Sequence, residues 1–304
     1  MSDSTGGTGR PKADVQGGEF LPVKVTDQEL ASLADIGKTR QELEAIRSEI
    51  NCVGEEPLAV AARLMQENQI LGLGEMHWTP NGHRDFGSAV MPVLKGAGAT
   101  HLALEIDWWV QPVLDEFMRS GSLSRDALPC LLRDDDYVAM LEAARRAGLK
   151  LVAVDNRPYR TVDGKPGALA EHRATARASD EQKRLYGDDY MAAAIAGILD
   201  ADTSAKVVFW VGAMHLIDCR GELPCYSAAT LLREKYRICT VQNQARCHSG
   251  STLVRLTENI NQPVAISMSR ASRTSQLSDF PFGPDEWELV HRYGYWDYIF
   301  TYPT

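Results

Sequence analysis

Two hydrophobic periods alternate along this chain of 304 residues. The helical one comes first. Thr26 followed by Glu29 has the form of a capping box, in which hydroxyl and carboxylate each satisfy an orphan backbone N–H. Apolar residues then recur at helical spacing, at Leu30, Leu33, Leu43, Ile46 and Ile50, and predict a first helix. A second is predicted from Pro57, a residue suited to a first helical turn, with Leu58, Ala61, Leu64 and Met65 on one face. The pattern then changes to short, near-continuous apolar runs: Ile70–Gly74, His101–Ile106, Leu149–Val154, Lys206–Gly212 and Tyr236–Val241. Such runs suit strands covered on both faces. Helical stretches separate them, at about 84–97, 108–119, 134–147, 168–200 and 226–235. Strand alternating with helix predicts an α/β fold: a mostly parallel central sheet flanked by helices, with right-handed crossovers and the site at the carboxyl ends of the strands. Thr252–Leu256, Pro263–Met268 and Trp296–Phe300 are predicted as further strands, and Ser269–Pro284 as a loop. With no internal repeat and no clear linker, residues 21–304 are expected to form a single α/β domain with an N-terminal helical extension. Residues 1–20, rich in Gly, Ser and Thr, are expected to be a disordered tail.

Composition narrows the partners. The chain is 44% hydrophobic and 24% charged, as a globular protein is. Its formal net charge is -9, which argues against nucleic acid or an anionic membrane, since both need basic patches. The longest apolar runs, such as Lys206–Leu216, fall short of the roughly 18 residues of a membrane span. The N-terminus has no apolar stretch of the secretory kind. A cytoplasmic protein with a small-molecule substrate is expected. None of the cysteines, Cys52, Cys130, Cys219, Cys225, Cys239 and Cys247, forms a C-x-x-C pair, so a zinc ribbon is not expected. Cys219 and Cys225 are close enough to bridge a short loop, but free thiols are preferred in a chain without an export signal.

Chemistry concentrates where the predicted strands end. The first leads into Gly74-Glu75-Met76-His77, the second into Glu105 and Asp107, the third into Asp155-Asn156-Arg157, and the fourth into Gly212-Ala213-Met214-His215. A charge at the end of an apolar strand costs desolvation energy unless it is paired or sits in a wet cleft. One such residue marks only a strand leaving the core; four at one sheet edge point to a shared site. Two histidines with two or three carboxylates suit a divalent metal, with Glu75, His77, Glu105 and His215 as candidate ligands. They equally suit metal-free acid–base work, in which histidine activates a water and carboxylates orient and tune it. Both readings stay open. No cysteine sits at a strand end, and no G-x-S-x-G elbow is present.

Other residues carry two readings each. His83 and Arg84 open a helix, as a further imidazole and an anion-binding arginine or as a solvated cap. Trp78, Trp108 and Trp109 flank strand ends, as the floor of an apolar pocket or as core. Asp188 and Asp189, after Gly187, read as caps of the following helix, and Asp134-Asp-Asp136 as another cap. Candidate substrate contacts are His83, Arg84, Trp108, Asp107 and Arg157. His101, His172, His248 and His291 have no supporting context.

Five motifs in order, Leu73-Gly-Glu-Met-His77, Ala103-Leu-Glu-Ile-Asp107, Val154-Asp155, Asp189-Tyr-Met-Ala192 and Val211-Gly-Ala-Met-His215, resemble the superfamily of erythromycin esterase, ChaN-like and Tiki proteins. Tyr295-Trp-Asp-Tyr-Ile-Phe300 is similar to the terminal strand of the esterase-like members, so the resemblance covers about 68–300. It implies an α/β fold with the site at the strand ends. From the esterases it implies hydrolysis of a macrolactone, with His77 as general base, or His83 as its counterpart, and Glu75, Glu105 and His215 as partners. From the Tiki proteins it implies a metal-dependent hydrolase whose Gly-x-x-His motif helps to hold the ion. From the ChaN-like proteins it implies haem binding, through a Gly-Glu-x-His…His pattern that His77 and His83 match. The expected function is a hydrolase acting on an ester, lactone or amide of a small natural product, or a tailoring or cyclisation step using the same acid–base set. Asp155 belongs to that catalytic set. The alternatives are a haem- or metal-binding protein and a metal-dependent hydrolase, with a divalent metal preferred to haem as cofactor.

Overall fold

The capping box at Thr26 forms, but the helix it starts is short. In the computed structural model, which describes residues 19–75, 82–128, 133–156, 187–217, 227–244, 256–257, 260–271 and 296–302, helix α1 spans Asp27–Ser32. A 3-10 turn, Ala34–Ile36, follows, and Gly37 at φ 70° reverses the chain in a conformation only glycine adopts freely. A second capping box, Thr39 with Glu42, opens α2 (Arg40–Val53). One predicted helix is therefore two. Leu33, Leu43, Ile46 and Ile50 bury against β6 (Val264–Ser267) and β7 (Tyr298–Thr301). Arg47, only 1% exposed, lies in the same layer. Its guanidinium donates to the carbonyls of Pro22 and Lys24 and pairs with Glu29 at 2.8 Å. Phe20, assigned from sequence to the tail, is buried there too; residues 1–18 lie outside the described residues.

Helix α3 (Pro57–Glu67) leads into the sheet. Its first five strands are β1 (Ile70–Glu75), β2 (His101–Asp107), β3 (Lys150–Asp155), β4 (Val207–Gly212) and β5 (Ile238–Gln244). The order is β3-β2-β4-β1-β5-β7-β6, and every pairing is parallel except β6 with β7. This is the mostly parallel α/β fold that the alternation of periods predicts. Helices α4 (Gly82–Gly96), α5 (Gln111–Ser120) and α6 (Asp135–Ala147) pack on one face, against Leu71, Leu73, Leu102, Leu104, Val208 and Trp210. Helices α7 (Gly187–Ala201) and α8 (Ala228–Arg233) pack on the other, against Ile70, Ala103, Val154, Val207, Phe209 and Val211. The two sets alternate along each strand, as the period of two requires.

That division follows from chain direction. The path steps outward from β1 to β2 to β3 with α4, α5 and α6 on one face, then returns through β4 to β5 with α7 and α8 on the other. Right-handed crossovers demand this change of face when the direction reverses. Strand β4 ends up between β2 and β1. The segments leaving β4 and its two neighbours depart to opposite faces, and such switch points are where α/β sheets open a crevice.

Some of the predicted elements fall partly outside the described residues. The helix predicted at 168–200 is described only from Gly187, and of the strand predicted at Thr252–Leu256 only Leu256 is described. Leu256 sits in a helical turn, buried with α2, so its apolar side chain serves the packing of that layer and not a strand.

Cys52 is exposed and Cys239, on β5, is buried; both are free thiols. Burial, and then the negative charge of Asp297, push the Cys239 thiol up. The nucleophilic thiolate is therefore scarce wherever the fold persists. Iodoacetamide at about pH 7 to 9 should label Cys52 in the native protein and reach Cys239 only after denaturation. Peptide mapping would show it, and native-state labelling of Cys239 would contradict the buried placement.

Candidate functional site

The ends of β3, β2, β4 and β1 lie side by side, with Asp155 opposite Asp107 and Glu75 opposite Gly212 in the strand registers. After Gly212 the chain enters a 3-10 turn, Ala213–Leu216, that lies over β1. The glycines of the Leu71-Gly-Leu-Gly74 run make this possible. A Cβ on Gly72 would stand 2.7 Å from Leu216 Cδ2, and one on Gly74 would stand 2.9 Å from Ala213 Cα and 3.0 Å from the Val241 carbonyl oxygen. The indole N–H of Trp296 donates to the Ala213 carbonyl at 2.9 Å and holds the turn from the other side. His215 is thereby fixed at the sheet edge.

Its ring lies between two carboxylates. Nε2 is 3.8 Å from Glu105 Oε1. The other oxygen of Glu105 accepts from the Gly212 N–H at 2.7 Å, so the strand-end backbone holds this side chain, which is 6% exposed. On the opposite side of the ring, Nδ1 is 2.8 Å from Asp188 Oδ1. That same oxygen accepts from the Ala228 N–H, at the start of α8, at 2.7 Å. Asp188 stands in the first turn of α7, after Gly187 at φ 52°, whose N–H donates to the Asn156 carbonyl at 3.2 Å. The ends of β2, β3 and β4 thus converge around one imidazole. The His215 side chain is 23% exposed, held by Asp188 at Nδ1 and open to a ligand at Nε2.

The remaining strand-end carboxylates look elsewhere. Glu75 Oε2 accepts from the Trp210 indole N–H at 2.7 Å, on the face that carries Leu71 and Leu73. Glu105 shares its face with Ala103, on the other side of the sheet. Asp155 is 1% exposed, and its Oδ1 accepts from the Asn156 N–H at 2.8 Å. Burial, with a smaller contribution from the charge of Asp155, pushes the Tyr190 hydroxyl up to about 12, so it remains a neutral phenol at physiological pH. Asp107 is buried beside them. Trp108 is buried as well, stacked edge-on against Trp109, and its N–H donates to Asn156 Oδ1 at 3.2 Å. It ties the ends of β2 and β3 together. Met214, next to His215, is 66% exposed.

Of the sequence candidates, the structure brings Glu105 and His215 into contact and sets Glu75, Asp107 and Asp155 along the same edge. His77 and Arg157 lie outside the described residues, as do the side chains of His83 and Arg84, whose backbone opens α4. Among the described residues no three His, Cys, Asp or Glu side chains converge as a metal-ligand set. The described members of the candidate set, Glu75, Glu105 and His215, do not fit one, since the two glutamates turn to opposite faces. Asp188 is the residue that sequence reasoning took only for a helix cap. Its partners lie 27 and 40 residues away in the chain, beyond any local signal.

No protein-family model matches this chain, and no curated protein matches it. Solved structures do. A succinoglycan biosynthesis protein is similar at a TM-score of 0.52 and 14% identity, over 82% of this chain and 91% of that one. A Bacillus cereus protein is similar at a TM-score of 0.51 and 11% identity, over 81% and 90%. A weaker likeness, at a TM-score of 0.42 and 22% identity, is to the RRSP effector domain of a Vibrio vulnificus MARTX toxin, over 62% of this chain and 35% of that one. The first two likenesses establish that the α/β fold described above is shared with these proteins over most of both chains.

Proposed function

We propose that this chain is an enzyme that activates a water between His215 and Glu105 and hydrolyses an ester, lactone or amide of a small natural product, as the erythromycin esterases do. The 3.8 Å separation of Nε2 and Oε1 carries the reading. A water oxygen about 2.8 Å from each would see them about 85° apart, close enough to the angle between its own two O–H bonds. One proton then faces the ring and the other the carboxylate. As the water oxygen bonds to the substrate carbonyl carbon, Nε2 takes the first proton. The bond from that carbon to the leaving oxygen or nitrogen breaks as the tetrahedral intermediate collapses, and the imidazolium returns the proton to the leaving atom. Glu105, held by the Gly212 N–H, orients the water and stabilises the imidazolium. Met214 offers a soft apolar contact for the group beside the scissile carbonyl. The substrate is a small molecule, and the formal net charge of -9 speaks against nucleic acid or an anionic membrane as the partner.

The test is a panel of aryl esters, lactones of graded ring size and amides, assayed before and after chelation of divalent ions. Turnover above the buffer rate should survive chelation and fall by about 10- to 100-fold in Glu105→Gln. Activity indifferent to that substitution would sink the proposal. Activity restored only by an added ion would move the water onto that ion.

A further inference from the structure

We infer that Asp188 is the positioning residue of this site: its carboxylate keeps the His215 proton on Nδ1, leaving Nε2 as the nitrogen that exchanges a proton on the Glu105 side. The observation is the shared oxygen. Asp188 Oδ1 accepts from the Ala228 N–H at 2.7 Å, which establishes it as an acceptor in a fixed place. Nδ1 lies 2.8 Å from the same oxygen, so the ring nitrogen is the donor. A neutral ring with its proton on Nδ1 has a lone pair on Nε2, and that lone pair is what a general base needs.

The alternative tautomer has a definite consequence. Free neutral imidazole prefers the proton on the nitrogen farther from the backbone. In this site an Nε2–H would point toward Glu105 Oε1, now 3.8 Å away. Charge-assisted attraction would close that gap to a direct hydrogen bond. The ring would then have no lone pair facing the water, and the space between the two groups would shrink. Asp188 prevents both.

Its placement is also built. Ser227, the cap residue of α8, uses its hydroxyl on the Thr230 N–H at 3.1 Å, and Asp188 accepts from the neighbouring Ala228 N–H. The Gly187 bond to the Asn156 carbonyl anchors the start of α7 to the end of β3. Movement of Asp188 away from the ring is thus opposed by a contact with α8 and another with β3. The sequence reading of Asp188 as a cap is half of its role: the helix whose first N–H it satisfies is α8, not the helix on which it stands.

The catalytic consequence rests on the hydrolase reading above, whereas the tautomer does not, and the experiment separates them. In protein labelled with 15N-histidine, long-range proton–nitrogen correlations of the ring report which nitrogen is protonated, with His215 assigned by the loss of its signals in His215→Gln. The expected result is a protonated Nδ1 and a bare Nε2 in the native protein, and a shift toward the Nε2–H form in Asp188→Asn. A native ring protonated on Nε2, or a tautomer unchanged in Asp188→Asn, would overturn the inference. Since Asp188 also supports α8, thermal unfolding of each variant is followed alongside. Asp188→Glu, which keeps the carboxylate, should retain the Nδ1–H form, and its failure to do so in a folded protein would count against the assignment. On any substrate turned over, Asp188→Asn should lower kcat by about 10²- to 10⁴-fold with KM within about threefold, and Asp188→Glu should recover part of the loss. The expected tautomer with unchanged kcat in Asp188→Asn would overturn the positioning role. The expected tautomer with no turnover on any substrate would overturn the hydrolase reading alone.

Discussion

His215→Ala should lower kcat by about a thousandfold on whatever carbonyl substrate the protein turns over, while KM moves little. The reason for the asymmetry is that the imidazole takes up a proton as the water attacks, an event of the transition state and not of substrate binding. No other described histidine can replace it, because His101, the other described ring, stands at the far end of β2, within 2.8 Å of the Thr100 hydroxyl. Stability should change little. The His215 side chain is 23% exposed, and the turn that carries it is held by Ala213, Leu216 and the Trp296 bond, none of which the substitution touches. Added imidazole should restore part of the activity of the alanine variant, since the space it vacates opens to solvent. Steady-state kinetics on the wild type, His215→Ala and His77→Ala give the comparison. A His215→Ala variant keeping more than about a tenth of wild-type kcat, against the 10²-fold or more expected of a general base, would remove this residue from the chemistry.

Trp210→Ala should be the most destabilising single change at the sheet centre, by about 3 to 5 kcal/mol. Trp210 heads the fully buried side chains by size, on the strand between β2 and β1. Its ring fills the space under α4 so closely that a Cβ on Gly87 would stand 3.1 Å from Cη2. Its N–H also meets the buried Glu75 carboxylate at 2.7 Å. Removing the ring opens a cavity and takes a donor from that carboxylate, which by itself costs about 1 to 3 kcal/mol. Against a total stability of roughly 5 to 15 kcal/mol, the alanine variant should be marginal. Trp210→Phe separates the two effects: it keeps most of the volume and loses only the donor, so its cost should stay near the lower figure. Urea unfolding monitored by circular dichroism measures both. Losses below about 1 kcal/mol in both variants would mean that this position is not the packed centre described.

The strands were legible because burial on both faces leaves a plain trace. Val207–Val211 is apolar without interruption, and a run of that kind has few other stable places to go. The acids and histidines at the ends of those runs were legible for the same reason, since the change from apolar to charged marks where a strand leaves the core. The break between α1 and α2 was present as Gly37 and a second box at Thr39 and Glu42, but the apolar spacing ran across it and hid it. The glycines of β1 announced a strand end without announcing that a turn from β4 would lie on them.

What the chain carries locally, then, is the kind and extent of each element and the presence of chemistry at the strand ends, because period, capping and desolvation act over a few residues. Only the tertiary structure decided which of those groups meet. Placing β4 between β2 and β1 sets His215 beside Glu105, and seating α7 on the face opposite α4 sets Asp188 on the other side of the imidazole ring. The pleat and pairing of β1 turned Glu75 to Trp210 instead. Strand order follows from the direction of each crossover and from pairing energies summed across the whole sheet, and neither quantity belongs to any window of the sequence.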